Sequence, residues 1–234
     1  MTGQIPLHFE FKADKTFENF FPDAHREIVA HLKNTAAGHG ERQIFLWGDR
    51  GSGKSHLLQA CCHAAHRQRH SSFYFDLAAA PLPAPEILDG IDEFDLVCLD
   101  NIAAPAGNAV WEQALFHFYN RCRERAHRLV VSSILPPGEL PLSLPDLKTR
   151  LAWGLTLHLH AYAETDKIAL LAFKARQLGF DVTPQVGRFL LLHYARDLPS
   201  LWELLDKLDR ETLAAKRKLT VPFIKRILAN KASS

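Results

Sequence analysis

Gly48-Asp49-Arg50-Gly51-Ser52-Gly53-Lys54-Ser55 decides the fold. The stretch follows Gln43-Ile44-Phe45-Leu46-Trp47, an apolar run that reads as a short buried strand. It leads into Leu57, Leu58, Cys61, Ala64 and Ala65, which are spaced as a helix face. G-x-x-x-x-G-K-S between a strand and a helix is the P-loop pattern. Its glycines let successive backbone N–H groups point at phosphate oxygens, and the helix start adds its positive end. Gly48, Asp49, Arg50, Gly51, Ser52, Gly53, Lys54, Ser55 and His56 are therefore the candidate nucleotide cradle. Lys54 would reach the β- and γ-phosphates and Ser55 would place its hydroxyl on Mg²⁺.

Outward from the loop, further strands follow the same alternation with helices. Ser72-Phe73-Tyr74-Phe75, Asp95 to Asp100, Leu129 to Ser133 and Leu155 to Leu159 read as strands. Trp111, Leu115, Phe118 and Cys122 share one side of a long helix. Strands separated by helices call for a parallel sheet covered on both faces. Asp100 ends its strand and is the candidate second ligand of Mg²⁺, directly or through water. After about Ala161 the strand signals stop. Helices are predicted over 164–178, 184–194, 199–215 and 222–229, with Thr183-Pro184 as a start signal. The expected organisation is a tail over 1–12, an α/β nucleotide-binding base over 13–161 and an all-helical unit over 162–234.

Composition excludes several classes. The 234 residues are 47% hydrophobic and 23% charged, with a net charge of +2, which argues for a globular chain not held to DNA or lipid by overall charge. No apolar run is long enough to span a bilayer, and the first ten residues lack the basic start of a secretory signal. A cytoplasmic protein is expected. Four cysteines make no disulfide framework. Cys61, Cys62, His63 and His66 on one helix read as core and surface residues rather than metal ligands. Arg121, Arg123, Arg125 and Arg128 read as a solvated basic helix end, with a contact to DNA as the alternative.

Several segments together resemble the initiator branch of the AAA+ P-loop NTPases, and within it the Hda-type regulatory inactivators of the bacterial replication initiator DnaA. Thr16-Phe17-Glu18-Asn19-Phe20 is similar to the opening of the initiator's nucleotide domain. Leu96-Val97-Cys98-Leu99-Asp100-Asn101 follows in order, and Leu144 to Gly154 looks like the arginine-finger segment. The resemblance implies that Arg150 projects to a neighbouring subunit's ATP, a role worth roughly 10³–10⁵ in rate. It implies a polar sensor at Ser133, and it puts Arg196, within Ala195-Arg196-Asp197-Leu198, on the nucleotide from the helical lid. AAA+ ATPases usually place a second acid after the strand-end carboxylate. Here Asn101 stands there and cannot accept a proton, while Pro199 departs from the family's lid pattern. Bound ADP, or ATP, with weak or no turnover is the resulting expectation.

Gln4-Ile5-Pro6-Leu7-His8-Phe9 looks like the peptide that bacterial proteins insert into the DNA polymerase III sliding clamp. Gln4 would offer its amide to a polar pocket, while Ile5, Leu7 and Phe9 alternate as apolar anchors of an extended chain. The resemblance implies DnaA and the clamp as partners, DNA mainly through the clamp, and inactivation of DnaA by hydrolysis in trans. No room is left after the lid for a helix-turn-helix domain. A homodimer stays open. The alternatives are a DNA-acting AAA+ ATPase, such as a helicase loader with its own turnover, and a small P-loop kinase. The kinase would need several arginines in a mobile lid and leaves 4–9 unexplained.

Overall fold

The computed structural model describes residues 12–21, 23–194, 197–215 and 219–229. Five strands form one parallel sheet: β1 Gln43–Trp47, β2 Ser72–Asp76, β3 Leu96–Asp100, β4 Arg128–Ser133 and β5 Leu155–His158. Their order across the sheet is β2-β3-β4-β1-β5, so β4 lies between the strand that feeds the P-loop and the strand that ends in Asp100. Register pairs Trp47 with Ser133 and Leu99 with Val131. The ends of β1, β3 and β4 therefore meet along one carboxyl edge.

The apolar runs are nearly continuous because both faces of the sheet are covered. Residue parity sorts them. Ile44, Leu46, Leu96, Cys98 and Val130 pack with α1 (Arg26–Ala36) and α2 (Lys54–Arg67). Phe45, Phe73, Phe75, Val97, Leu99, Leu129 and Val131 pack with α3 (Ala109–Glu124) and α4 (Pro145–Leu151). Cys61 and Cys62 are fully buried in the first layer, as befits small apolar side chains. Phe17 and Phe20 join the same cluster, bringing 12–21 alongside α2.

The chain divides into two compact units after His160. The second carries α5 (Glu164–Gln177), α6 (Pro184–His193), α7 (Leu198–Ala215) and α8 (Val221–Ala229). Leu171, Leu190, Leu201, Leu205, Leu208 and Ile224 are fully buried in its own core. Thr183 caps α6, its hydroxyl accepting the Val186 N–H at 3.3 Å, and Pro184 occupies the first turn.

The basic helix end departs from expectation. Arg121 and Arg125 are bonded to Asp92, at 3.2 and 2.9 Å, and Asp92 is buried. Burial raises the Asp92 carboxyl's proton affinity, but the two guanidiniums overcome that and hold its pKa below the usual value. These arginines fasten the short 3₁₀ turn Ile91–Glu93 to α3. Arg128 is also not solvated in the expected sense; it donates to the Gly38 carbonyl.

Candidate functional site at the carboxyl edge of the sheet

The loop 48–53 begins where β1 ends, and two of its glycines are required by space. A Cβ on Gly48 would lie 2.3 Å from the Leu159 carbonyl oxygen. Gly53 has φ +104°, and a Cβ there would lie 2.7 Å from the Phe20 ring, a conformation and a gap that only glycine accepts. Gly53 caps α2 without a side-chain hydrogen bond. The Ser52 hydroxyl is buried with no partner among the described residues.

Lys54 is 6% exposed and donates to the carbonyls of Gly48 at 2.7 Å and Asp49 at 2.8 Å. Burial lowers its pKa, and the carboxylates of Asp100 and Asp49 oppose that shift. A buried ammonium, an orphan hydroxyl and an uncapped helix start share one demand, an anion bearing several oxygens. The cradle fits nucleotide phosphates. Ser55, Asp49 and Arg50 are exposed beside it. His56 turns away toward the Thr16 carbonyl, 2.7 Å from its Nε2, and so ties α2 to the preceding segment.

Asp100 is fully buried and carries a dense set of donors. The Tyr74 hydroxyl donates to Oδ2 at 2.8 Å, while Oδ1 accepts from the Ser132 hydroxyl and from the Asn101 N–H at 3.2 Å. Burial first, and then the adjacent Asp100 charge, push the Tyr74 phenol far above its ordinary pKa. It therefore stays protonated and remains a donor. A metal would reach Asp100 through water or after Tyr74 gives way.

Asn101 sits at φ +57°, and its Nδ2 donates to Asp76 Oδ1 at 2.8 Å. A carboxylate therefore does stand beside the position where an AAA+ ATPase places its second acid, brought there by the neighbouring strand β2. Ser133 is fully buried, and its hydroxyl accepts the Leu135 N–H at 3.0 Å. Sequence reasoning missed Ser132, Tyr74 and Asp76. Ser132 is identified by the register: β4 flanks β3, and Ser132 follows Val131, the partner of Leu99, so it stands opposite Asp100.

Arg150 lies elsewhere. Its guanidinium donates to Asn120 Oδ1 and sits over Phe116 at 4.5 Å and Trp153 at 5.4 Å. The carbonyls of Arg150 and Leu151 accept from Gln43 Nε2 at 3.0 and 3.1 Å. Gln43 opens β1, whereas the P-loop follows the other end of that strand. Four steps of roughly 3.3 Å put about 13 Å of backbone between them. Arg150 is half-buried rather than enclosed. Arg196 and the residues Gln4, Ile5, Leu7 and Phe9 lie outside the described residues.

Residues 164–228 match the family described as Hda, lid domain. Domain III of the replication initiator DnaA from Thermotoga maritima is similar over 90% of this chain and 94% of its own, with a TM-score of 0.76 and 19% identity. AMPPCP-bound DnaA from Aquifex aeolicus is similar over 86% of this chain and 66% of its own, at TM-score 0.71 and 20% identity. The Thermotoga maritima RuvB branch-migration motor matches over 93% of this chain and 72% of its own, at 0.68 and 14%. At these identities the structures share the fold, which is that of an AAA+ α/β base followed by a helical lid.

Proposed function

We infer, from the premise that this is a Hda/DnaA-like AAA+ protein, that it is a regulatory adaptor: it holds ADP, docks on the DNA-loaded sliding clamp through residues 4–9, and lends Arg150 to ATP held by DnaA. Hydrolysis in the partner then converts DnaA to its inactive form. The observation that carries this reading is the placement of Arg150 at the amino end of β1, with the chain's own P-loop at the carboxyl end. An arginine so placed is too far from the chain's own P-loop to act there, which supports a role on another molecule's phosphates. A guanidinium set on a γ-phosphate neutralises the charge that develops as the bond breaks.

The chain's own residues supply the grip. Lys54, the N–H groups of the loop and the hydroxyl of Ser52 bind phosphate oxygens. Ser55 and Asp100, the latter directly or through water, would hold Mg²⁺, which would supply neutralising charge when bound. Asn101 contributes no base. Arg196 from the lid would contact the nucleotide. To serve the partner, Arg150 exchanges the Asn120 oxygen and the Phe116 and Trp153 rings for a phosphate.

The test measures hydrolysis of DnaA-bound ATP in the presence of clamp loaded on DNA. Arg150→Ala is expected to keep nucleotide and clamp binding and to lose stimulation by a factor of about 10³. Retained stimulation removes Arg150 from the mechanism. Gln4→Ala with Leu7→Ala is expected to abolish clamp pull-down, and unchanged binding refutes the tail assignment. One observation favours turnover in the chain's own site, the carboxylate of Asp76 beside Asn101. Rapid steady-state hydrolysis by the isolated protein, lost in Asp76→Asn, would establish that second reading.

A further inference from the structure

The chemistry above uses the carboxyl edge of the sheet and the flank that carries Arg150. The amino edge holds two adjoining cavities that share Ala126 and His127. The larger, about 360 Å³, is lined by Arg42, Tyr119, Arg123, Leu129 and Trp153, with Glu41 also on its wall. The smaller, about 190 Å³, reaches His70, Asp95 and Arg128. Arg42 immediately precedes β1, Asp95 precedes β3 and Arg128 opens β4. These cavities therefore stand at the opposite end of the strands from the P-loop.

The guanidiniums here are poorly neutralised. β1 and β4 are paired with Gln43 opposite Leu129, which brings Arg42 and Arg128 side by side at the start of their strands, where like charges oppose folding. Arg128 has its pKa lowered by burial and then by Arg42, against the pull of Asp95. Asp95 itself is already bonded to the Ser71 N–H and hydroxyl, both at 2.8 Å. The Arg128 Nε is buried with no hydrogen-bond partner among the described residues. Arg123 lies over the Trp153 ring at 4.7 Å, and the ion pairs among the described residues include neither it nor Arg42.

Arginines in the last turn of α3 complement the negative end of that helix, and Arg121 and Arg125 are committed to Asp92. Neither explanation covers Arg42, which precedes β1, or Arg128, which opens β4. Opposite them the cavity wall is aromatic and apolar: Tyr119, Leu129 and Trp153, the last 54% exposed.

We propose that this amino-edge cavity is a second anion site that takes a nucleoside phosphate, its phosphate between Arg42 and Arg123 with Arg128 behind, and its base against Tyr119, Leu129 and Trp153. Guanidiniums match phosphate oxygens in a forked geometry. A flat ring uses an aromatic wall that a bare anion would leave idle. The larger cavity is within the span of about 300–1,000 Å³ common for small-ligand sites. The phosphate comes either from a free nucleotide or from the end of a nucleic-acid strand, which carry the same chemistry. The site shares Trp153 with Arg150, whose guanidinium lies 5.4 Å from the same ring, but its phosphate contacts do not involve Arg150.

Calorimetric titration of the full chain with dTMP tests this, run with and without saturating ADP. One binding event that survives ADP is expected, weakened at least about tenfold when Arg42→Ala and Arg123→Ala are combined. Circular dichroism confirms that the variant keeps its fold. Competition by a 5′-phosphorylated oligothymidylate, and not by its unphosphorylated form, assigns the site to strand ends; absence of competition assigns it to free nucleotide. No ADP-resistant binding, or binding unaltered in the double variant, overturns the site. Inorganic phosphate binding as tightly as dTMP, or thymidine binding as tightly, overturns the assigned ligand.

Discussion

Glu112 is a buried acid that sets the position of the helix carrying Arg150, and its removal can be worked through quantitatively. The residue is 1% exposed on α3. Its Oε1 accepts the N–H of Gly107 at 2.8 Å and of Ser143 at 3.1 Å, and Oε2 accepts that of Leu144 at 2.7 Å. Leu144 precedes α4, so one carboxylate fastens the entry of that helix to α3. Glu112→Gln keeps the shape but replaces one oxygen by an NH₂. With the amide oxygen at Oε1, two bonds survive without charge assistance and the NH₂ faces the Leu144 N–H. An orphaned buried donor costs about 1–3 kcal/mol, and bonds to a charged acceptor lose roughly another 1 kcal/mol. The sum is about 3 kcal/mol, or roughly 6–12 °C in melting temperature for a chain of this size.

The pH dependence gives the sign. Burial alone would raise the Glu112 pKa, but the three backbone N–H groups outweigh it and the net shift is downward. A carboxyl whose folded pKa is depressed stabilises the protein above its unfolded pKa of about 4.3 and loses that contribution as pH falls through the folded value. Urea unfolding of wild type and Glu112→Gln is therefore expected to differ by a constant amount between pH 6 and pH 7. The gap should narrow below about pH 4.3, where the wild-type carboxyl begins to resemble the amide. A difference under about 0.5 kcal/mol, in the range of ordinary surface substitutions, or one that ignores pH, refutes the argument.

Two further substitutions probe the frame and the site. A Cβ on Gly154 would lie 2.4 Å from the Gln43 carbonyl oxygen, so Gly154→Ala is expected to destabilise by about 1–3 kcal/mol. Gly138→Ala, which meets nothing within 4 Å, should be near neutral in the same melting assay, and equal effects would discredit the close-approach reasoning. Asn101→Asp removes the 2.8 Å donor to Asp76 and sets two carboxylates together. One of the pair then holds its proton above the ordinary value of about 3.9. The variant should be less stable than wild type at pH 8 and recover as pH falls toward 5; a gap that widens on acidification would contradict the contact.

The fold was legible because its signals are local. Period and length gave five strands, and the glycine pattern at 48–53 sits between the strand and helix that it needs. Thr183-Pro184 marked a helix start because capping involves residues three apart. What could not be read depends on which strands become neighbours. Asp76 reaches Asn101 only because β2 pairs with β3, with Asp76 opposite Asp100, and Tyr74 reaches the acid for the same reason. Arg121 and Arg125 looked solvated because Asp92 is remote in sequence, and no periodicity links a 3₁₀ turn to the end of a later helix. Ser132 and Ser133 are adjacent and of one type. Only the register reveals which of them faces the acid.

The two ends of β1 also constrain how such a chain can associate. A phosphate cradle at the carboxyl end and the half-buried cation of Arg150 at the other end are complementary patches on different surfaces. Copies joined through them meet head to tail, and a head-to-tail contact that does not close continues into a filament. Under the proposed role, the arginine has to be restrained until the partner arrives. The Asn120 oxygen and the Phe116 ring provide that restraint, and the cost of leaving them is small. A hydrogen bond to a charged group contributes about 1.5–3 kcal/mol net, and a partly exposed cation–π contact about 0.5–1 kcal/mol. A γ-phosphate in a desolvated site, met by the guanidinium in forked, charge-assisted hydrogen bonds, offers contacts that can replace a latch of roughly that size. A surface without such an anion does not, which would confine the arginine's release to a partner that presents phosphate.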